Sequence, residues 1–507
     1  MMEILLHLGD GILLAVQPIN LLLIVIGVTL GLFIGAMPGL GSVNGVAILL
    51  PVTFLVPPAS AIIFLAAIYY GAMYGGAISS ITLGIPGAST AVATTFDGRP
   101  LALQGRARLA LVTAALASFI GGSVSNVLFT GFAPLLASVA LSFGPPEIFS
   151  LMLLAFATFV GLGGDDIPKT VFSICLGLVL AAVGYDEISG APRLIFFDIP
   201  GFMHGINFLV LAIGVYGIGE MLWTIDSTRG KVTTTQTRMT VKGTIEDAGE
   251  GMCRGWKGTA IGSFLGFFVG ILPAAGATPG SLMSYGVAKM LARNPKEFGR
   301  GHPGGVAAPE AANNSASTGA MLPMLTLGIP GSPTTAILLG GMVIWGLTPG
   351  PRLFTDQPEF VWGLIGSFYV SNILAVVVNL AFIPLFIWML RMPFTILAPM
   401  IFVLSVVGGY AATQDMHDVW LMLIFGLGAF ILRKLDYPLA PAVLAIVLGP
   451  IAEPTLRQSL LLSSGDPSIF FTRPIAGPIT VIAIILILLP LFKVILGRRR
   501  GAETNAA

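Results

Sequence analysis

Residues 309–333 read PEAANNSASTGAMLPMLTLGIPGSP, and the interpretation of the whole chain starts from this stretch. It contains a glutamate, two adjacent asparagines and a run of small hydroxyl residues, followed by the hexapeptide TLGIPG. The same hexapeptide occupies Thr82–Gly87 and Thr326–Gly331, so its two copies are 244 positions apart. An identical segment repeated at that distance in a chain of 507 residues indicates two related halves.

The composition is that of a membrane protein. Hydrophobic residues make up 55% of the chain, charged residues only 10%, and the mean hydropathy is +0.93. A soluble domain has roughly 25% charged residues. Apolar runs such as 374–390 and 474–492 approach the roughly 20 residues that cross a bilayer. The sequence predicts an all-α polytopic membrane protein with about 10–12 crossings, and the short apolar segments suit interrupted or re-entrant helices.

Glycine and proline recur at matching offsets in the two halves, which suggests a shared backbone shape. The positions of the first half that recur 235 residues later are Gly31, Gly35, Pro38, Gly41 and Gly45, which align with Gly266, Gly270, Pro273, Gly276 and Gly280. Each half therefore contains two Gly- and Pro-rich segments, here called cassettes. They are cassette A1 (38–44) and cassette B1 (82–90) in the first half, and cassette A2 (273–280) and cassette B2 (326–335) in the second.

Lysine and arginine follow different cassettes in the two halves. Residues 46–68, after cassette A1, contain no basic residue, and only Arg352 follows cassette B2. The basic residues that follow cassettes B1 and A2 are Arg99, Arg106, Arg108, Lys289, Arg293, Lys296 and Arg300. Because cytoplasmic loops are enriched in lysine and arginine, equivalent loops are expected on opposite sides of the membrane. The sequence thus predicts two inverted repeats, an arrangement typical of transporters.

Four parts of the chain follow from this pattern. They are a first membrane repeat (1–223), a hydrophilic linker (224–257), a second membrane repeat (258–497) and a short tail (498–507). The linker and the C-terminal tail are rich in lysine and arginine, so both are predicted to be cytoplasmic. The formal net charge of +1 argues against a nucleic-acid partner.

The candidate binding groups lie at the cassettes. A helix that breaks at membrane depth offers N–H groups to an anion and carbonyl groups to a cation such as Na⁺. The side chains predicted to bind substrate or ion there are Ser42, Asn44, Ser89, Thr90, Thr278, Ser332, Thr334 and Thr335. The backbone positions predicted to form the breaks are Gly39, Gly41, Gly84, Pro86, Gly87, Gly276, Gly280, Gly328, Pro330 and Gly331. The alternative is that small residues in the cassettes only allow close helix packing.

Glu310, Asn313 and Asn314 form the sharpest polar cluster. Glu310 and Asn314 are four residues apart, so a helix would place both on one face. An ionisable group at membrane depth is a functional candidate by default. If the segment begins in a loop, Glu310 would instead sit at a helix N-terminus and be stabilised by the helix dipole.

No motif for catalysis stands out in the sequence. The chain lacks GxSxG, HExxH and P-loop patterns, and its four histidines show no metal-ligand spacing. We therefore expect no catalytic residue, no cofactor and no metal site other than a possible Na⁺ site. An intramembrane enzyme and a passive anion channel are the alternatives to a transporter.

The cassettes and their surroundings resemble a known family. The segments that carry the resemblance are GAMPGLGSVNGVAILLP, YYGAMYGGAISSITLGIPG, GRPLALQGRA, GHPGGVAAPEAANNSASTGAMLPMLTLGIPG and WGLTPGP, spread over nearly the whole chain. With them the chain resembles the large membrane subunit of tripartite tricarboxylate transporters, the TctA family. The resemblance implies a permease of the bacterial inner membrane that imports small carboxylates with a Na⁺ or H⁺ gradient. It also implies two partners, a small membrane subunit and a periplasmic solute-binding protein.

Overall fold

The computed structural model describes residues 2–37, 40–162, 166–186, 189–195, 199–227, 240–273, 275–389 and 394–488. The helices up to residue 227 are α1 (Met2–Ala15), α2 (Pro18–Ala36), α3 (Gly41–Leu49), α4 (Pro58–Thr82), α5 (Val92–Leu103), α6 (Ala107–Ala140), α7 (Pro145–Leu162), α8 (Ile167–Ala181), α9 (Phe208–Ala212) and α10 (Glu220–Ser227). The helices from residue 241 onward are α11 (Val241–Ile271), α12 (Ala277–Met290), α13 (Pro303–Leu327), α14 (Pro333–Ile344), α15 (Leu353–Asp356), α16 (Pro358–Met389), α17 (Phe394–Thr413), α18 (Met416–Lys434), α19 (Leu439–Leu462), α20 (Ile469–Thr472) and α21 (Ala476–Leu488).

Other regular structure is short. A π-helical turn at Ile213–Gly219 joins α9 to α10. The 3₁₀ turns cover Leu50–Leu55, Ser89–Ala91, Pro200–His204 and Pro295–Glu297. Strands β1 (Gly184–Tyr185) and β2 (Pro192–Arg193) form one antiparallel pair, in which Gly184 is opposite Arg193. The all-α class predicted from the sequence is confirmed, because this two-residue pair is the one departure among the described residues.

Six of the described helices are long and apolar enough to cross a membrane: α2, α4, α6, α16, α18 and α19. Six further apolar helices are shorter, with 10–17 residues. Helix α13 is in neither group, because its asparagine, serine and threonine residues lower its hydropathy. Its 25 residues nevertheless span about 37 Å at 1.5 Å per residue, which exceeds the hydrocarbon thickness of a bilayer. The number of crossings therefore stays a prediction.

The chain divides into two compact units. Unit 1 consists of Met1–Ala140, Leu209–Ile271 and Gly276–Phe430, and unit 2 of Leu141–Phe208, Leu272–Ala275 and Ile431–Ala507. In unit 2, α19 packs against α7 and α8, and Thr480 Oγ1 donates to Ser150 Oγ at 2.9 Å. All the described side chains of the predicted site lie in unit 1.

Two equivalent helices lie at the centre of unit 1. Helices α4 and α13 each have 25 residues, begin with proline in the first turn, and are buried along almost their whole length. A helix that is buried on every side shows no amphipathic stripe, which accounts for the absence of a clear period in both segments. Helix α4 packs mainly on α2, and α13 packs mainly on α11.

These two helix pairs meet through the same glycine contacts. A Cβ at Gly35 of α2 would lie 2.2 Å from the carbonyl oxygen of Ala72. A Cβ at Gly270 of α11 would lie 2.4 Å from the carbonyl oxygen of Ala316. Gly35 and Gly270 are 235 positions apart, whereas Ala72 and Ala316 are 244 apart, so the packing reproduces both sequence offsets. Each pair thus has the same close backbone approach, made possible by the missing side chain.

Two helices, α6 and α16, pack mainly against helices of the half to which they do not belong or against α1. Helix α6, which follows cassette B1, packs mainly on α13 and α11 of the second half. Helix α16, which follows cassette B2, packs on α4 and α2 of the first half and on α1. The two halves are therefore interleaved within one unit instead of forming separate bodies.

The predicted linker is helical where the structure describes it. Residues 241–257 form the first half of α11, which continues without a break to Ile271. Ion pairs of 2.5 Å join it to the beginning of α6, one between Glu250 and Arg106, the residue before that helix, and one between Asp247 and Arg108. The boundary predicted after residue 257 thus falls inside a helix. Residues 228–239 of the linker and the tail 498–507 lie outside the described residues.

Candidate functional site

Each cassette leads into the start of a helix. Helix α3 begins at Gly41, α12 at Ala277 and α14 at Pro333. In cassette B1, a 3₁₀ turn begins at Ser89 and runs directly into α5. The prediction that the cassettes interrupt helices therefore agrees with the element bounds, although the crossing or re-entrant character of these helices stays a prediction. The predicted break residue Gly39 lies outside the described residues.

One contact joins the two cassettes within each half. In the first half, a Cβ at Gly41 would lie 3.2 Å from the Cβ of Ala88, so cassettes A1 and B1 touch. In the second half, the backbone N–H of Gly276 donates to the carbonyl of Gly331 at 3.0 Å, which joins cassettes A2 and B2. Gly41 and Gly276 occupy equivalent positions in the two halves and so do the segments that they contact.

Two hydroxyl pairs then join the halves to each other. Ser42 Oγ lies 2.9 Å from Thr334 Oγ1, which connects cassette A1 with cassette B2. Ser89 Oγ lies 3.0 Å from Thr278 Oγ1, which connects cassette B1 with cassette A2. Together with the contacts within each half, these pairs close the four cassettes into a ring, called here the cassette ring.

The backbone at the ring requires glycine at matched positions. Gly41 and Gly276 have φ of +63° and +66° immediately at the start of α3 and α12. Gly84 and Gly328 have φ of +73° and +71° within two residues of the ends of α4 and α13. Such conformations are costly for residues with a Cβ, so the repeated glycines set the shape of the breaks.

The remaining predicted break positions lie in tightly packed turns. A Cβ at Gly87 would lie 2.0 Å from the carbonyl oxygen of Gly35, and a Cβ at Gly331 would lie 2.6 Å from Ala320 Cα. Pro330 is buried and Pro86 is half-buried. Gly280 is looser, because a Cβ there would stand 3.6 Å from the nearest atoms. Close packing, the alternative interpretation of these small residues, therefore explains part of each cassette.

The helix starts differ in how their N–H groups are satisfied. Helix α14 has a capping box in which Ser332 and Thr335 bond to each other's backbone N–H. No side chain among the described residues caps α3, α12 or the 3₁₀ turn at Ser89. The first turn of a helix carries unpaired N–H groups and the positive end of the dipole, and both favour an anion. The ring therefore presents three uncapped helix starts next to hydroxyl groups.

Exposure varies around the ring. Ser89 is exposed, and Thr90 and Thr278 are half-buried. The buried residues are Ser42, Asn44, Ser332, Thr334 and Thr335. Tyr69 of α4 contacts the ring, because its hydroxyl lies 3.3 Å from Ser332 Oγ. One side of the ring is thus accessible while the other is closed by α4.

Glu310 lies in the interior of α13, which begins at Pro303. It is therefore not at the helix N-terminus, the alternative position considered for it. Its side chain is fully buried and accepts hydrogen bonds from Thr94 Oγ1 at 2.5 Å and Ser118 Oγ at 3.2 Å. These donors belong to α5 and α6 of the first half. Among the described residues, no basic side chain pairs with this carboxylate, which is unusual for a buried acid.

Asn313 and Asn314 are fully buried beside Glu310. Asn313 Nδ2 donates to the carbonyl of Met73 in α4 at 3.1 Å, so it links the two central helices. Asn314 Nδ2 donates to the Glu310 carbonyl one turn earlier at 3.2 Å. The Oδ1 atoms of both asparagines have no hydrogen-bond partner among the described residues. The hydrogen bonds of this cluster go to residues outside the cassette ring.

A network of tyrosine and asparagine side chains escaped the sequence analysis. Asn126 Oδ1 accepts from Tyr70 at 2.7 Å and from Thr318 at 3.4 Å. Asn372 Oδ1 accepts from Tyr74 at 2.6 Å. Asn126 lies on α6 and Asn372 on α16, the two helices that exchange partners between the halves. The sequence signals available for them were the YYGAMY segment and isolated asparagines in apolar runs.

Asp97 is a further residue that the sequence analysis did not single out. It is fully buried on α5, and its carboxylate accepts from the backbone N–H groups of Gly299, Gly301 and His302 at 2.7–2.9 Å. Tyr285 OH also donates to it at 3.0 Å. The segment that it holds lies between cassettes A2 and B2, where the offset between the two halves rises from 235 to 244 residues. Asp97 stands immediately before the GRPLALQGRA segment, whose spacing gave no sign of this contact.

A polytopic helical protein whose two halves close a ring of helix starts has the architecture of a membrane transporter. Comparison with known families agrees. The family model described as the Tripartite tricarboxylate transporter TctA family matches residues 21–444, and the chain belongs to this family. It is a membrane transporter subunit, as the resemblance indicated.

Relatives in Agrobacterium vitis are similar over long stretches. An uncharacterized 52.8 kDa protein in the TAR-I ttuC' 3' region is 37% identical over 500 residues, covering 98% of both chains. An uncharacterized protein in the TAR-II ttuC' 3' region is 38% identical over 234 residues, covering 46% of this chain and 97% of that protein. No solved structure matches the chain.

Proposed function

We propose that the chain is the translocating subunit of an importer that carries small di- or tricarboxylates across the bacterial inner membrane with an ion gradient. The cassette ring is the observation that carries this proposal. Its partners would be a small membrane subunit and a periplasmic solute-binding protein, in keeping with a family described as tripartite. An intramembrane enzyme and a passive anion channel remain the rival functions.

The ring suits a carboxylate because its charge comes from the backbone. Each helix N-terminus acts as roughly half a positive charge, and its unpaired N–H groups point at the ligand. Three uncapped starts (α3, α12 and the turn at Ser89) converge through the Ser42–Thr334 and Ser89–Thr278 pairs. Hydroxyl groups add donors without introducing a permanent charge. A site of this kind binds an anion and still releases it, as transport requires.

The inverted orientation of the halves is part of the proposal. The placement of lysine and arginine supports it, whereas the equivalent contacts at Gly35 and Gly270 support the repeat itself and not its orientation. In inverted repeats, the substrate site lies near the midplane between the copies, and one repeat moves against the other. The linker and the C-terminal tail would then be cytoplasmic.

Glu310 is the candidate for coupling transport to the ion gradient. It is buried, it receives hydrogen bonds only from neutral donors in the described residues, and it contacts elements of both halves. A carboxylate of this kind can take up a proton or contribute to a Na⁺ site. The coupling ion would therefore be Na⁺ or H⁺, and no other cofactor is required.

Uptake of labelled di- and tricarboxylates into membrane vesicles tests the proposal. The vesicles would contain the chain, the small subunit and the binding protein, and would be assayed with and without a Na⁺ or H⁺ gradient. Accumulation above the outside concentration that disappears without a gradient supports a secondary transporter. Equilibration without accumulation would instead identify a channel, and a chemically altered carboxylate would identify an enzyme.

Asparagine variants locate the site. Asn313→Ala or Asn314→Ala should abolish accumulation with normal membrane insertion, because both residues belong to the buried cluster on α13. Asn379→Ala is the matched control, since Asn379 is also buried and its Oδ1 also lacks a partner among the described residues. Normal uptake in both α13 variants would remove this cluster from the site.

A further inference from the structure

A cavity lies away from the cassette ring, where α11, α12 and the segment between α12 and α13 come together. Its volume is about 260 Å³. The charged side chains that line it include Arg254, Lys257 and Arg293, with one carboxylate, Glu297. Cationic groups therefore outnumber anionic ones in this basic pocket, and nothing in the proposed transport cycle uses it.

The single carboxylate does not neutralise the three cations. Arg254 lies 3.5 Å from Glu297 and also 3.5 Å from Glu250, which lies outside the pocket lining, and both distances exceed the 2.7–2.9 Å of a good charge-assisted hydrogen bond. The ammonium of Lys257 lies over the Trp256 ring, 5.8 Å from its centroid, and has no carboxylate partner among the described residues. Arg293 likewise has no acidic partner in the described part of the chain. All three basic side chains are exposed.

The position of the pocket along α11 points to the membrane surface. The first half of α11 (241–257) is polar, and the second half, from Gly258 to Ile271, is almost entirely apolar. Trp256 marks the junction with 60% of its surface exposed, and tryptophan is enriched where a helix passes from headgroups into hydrocarbon. This order of a polar and an apolar half is that of a helix passing from headgroups into hydrocarbon, which would put the basic pocket at headgroup level.

An exposed apolar stripe continues from the pocket along the same helix. Phe264 and Phe268 are 53% and 52% exposed, two and three turns beyond Lys257 of the pocket. Residues at this spacing share one face of a helix. A ligand with a charged head and apolar chains would therefore match both parts of this surface.

We propose that the basic pocket binds the phosphate of an anionic phospholipid, with the acyl chains lying along Phe264 and Phe268. Arginine can hold phosphate oxygens through two parallel N–H bonds, while lysine supplies a point charge. Basic pockets between membrane helices are suited to lipid headgroups. Occupation would tie α11 and α12 together at the polar end of the second half.

The test uses the purified full-length chain in detergent and measures its thermal unfolding midpoint as lipid is added. The probes are short-chain phosphatidylglycerol, phosphatidylcholine with the same chains, and inorganic phosphate. The pocket variant is R254Q/K257Q/R293Q. The control variant K289Q/K296Q/R300Q removes three charges from the same region without altering residues that line the pocket.

We expect phosphatidylglycerol to raise the midpoint of the wild-type chain and of the control variant. In the pocket variant, the concentration needed for half of that rise should increase at least about tenfold, since each basic residue contributes about 1 kcal/mol. Equal losses in the pocket and control variants would show diffuse attraction and overturn the proposal. If inorganic phosphate at the same concentration raised the midpoint as much as phosphatidylglycerol does, the pocket would be a site for a soluble anion. That result would overturn the proposal of a lipid site.

A milder variant covers the case in which the triple variant does not fold. Arg293→Gln changes one exposed residue outside the helices, so the fold should be retained. Its half-saturating phosphatidylglycerol concentration should rise about fivefold, the equivalent of about 1 kcal/mol. An unchanged concentration in this variant would also contradict the proposal.

Discussion

Ser42 and Thr334 are 292 residues apart in the chain, and their hydroxyl oxygens lie 2.9 Å apart at the starts of α3 and α14. Both side chains are buried. The contact links a residue of the first half with one of the second, and the Ser89–Thr278 pair does the same between the other two cassettes. The candidate site is therefore built by both halves together, and neither half contains it alone.

Ser42→Ala and Thr334→Val are expected to show coupled effects on stability. Either change leaves the other buried hydroxyl without its partner, which costs about 1–3 kcal/mol. In the double variant both hydroxyls are gone, so the loss should be smaller than the sum of the single losses by about 1 kcal/mol. Thermal unfolding of the four proteins in detergent measures this coupling. Strictly additive losses would show that the pair contributes nothing, and Ser138→Ala, an exposed serine of α6, serves as a neutral control.

Gly270→Ala should destabilise the protein strongly. The added Cβ would lie 2.4 Å from the carbonyl oxygen of Ala316, so α11 and α13 would have to separate. A clash with rigid backbone typically costs about 1–3 kcal/mol or more. Unfolding midpoints, or the amount of folded protein recovered from membranes, report the loss.

Gly131→Ala is the matched control for Gly270→Ala. Gly131 also lies inside a helix, α6, but a Cβ there meets nothing within 4 Å. Alanine favours a helix over glycine by about 1 kcal/mol, so this variant should be unchanged or slightly more stable. Destabilisation by both changes to the same degree would mean that the close packing of α11 on α13 is not the cause.

The shape of the repeat was predictable from the sequence for a physical reason. A glycine that has a positive φ, or that leaves no room for a Cβ, cannot be replaced by another residue without strain. Its presence in the sequence therefore indicates the local backbone conformation. Gly41 and Gly276 recur in the sequence, and in the structure they have φ within 3° of each other. The offsets of 235 and 244 positions likewise reappear in the packing of Gly35 and Gly270.

The partners of the polar side chains were not predictable in this way. Whether Tyr74 meets Asn372 depends on the exchange of α6 and α16 between the halves, which no local pattern records. Helices α4 and α13 are buried on all sides, so their sequences lack the period that indicates which face meets which neighbour. Because α13 contains many polar residues, its hydropathy does not identify it as a long membrane helix. The cassette residues were identified from the sequence, whereas their pairing required the structure.

Asp97→Asn should loosen the segment between α12 and α13. The carboxylate of Asp97 accepts from three backbone N–H groups, at Gly299, Gly301 and His302. Hydrogen bonds to a charged acceptor contribute about 1.5–3 kcal/mol, and an amide keeps only one acceptor oxygen. We expect a lower unfolding midpoint and faster amide hydrogen exchange at residues 299–302.

Asp466→Asn is the comparison for Asp97→Asn. Asp466 also accepts from a backbone N–H, that of Ser468, but it is fully exposed. Water can replace its hydrogen bonds, so little change in the unfolding midpoint is expected. If Asp97→Asn left hydrogen exchange at residues 299–302 as slow as in the wild type, the proposed role of its carboxylate would be wrong.

Stability should depend on pH through His302, the N-cap of α13. Its Nδ1 accepts from the Gly304 N–H at 3.0 Å, which requires the neutral ring. Burial, and then the charge of Arg254, hold the pKa of His302 below its usual value of 6.5. The unfolded chain therefore binds the proton more readily, and the stabilisation is present above about pH 6.5 and is lost as the pH falls below it.

His302→Asn keeps a capping side chain without a titratable group, so its unfolding midpoint should fall less between pH 7.5 and 5.5 than that of the wild type. His302→Ala also lacks the titration but loses the cap, and should be less stable by about 1 kcal/mol at every pH. An identical pH dependence in the wild type and in His302→Asn would show that another group controls the acid side of the stability curve.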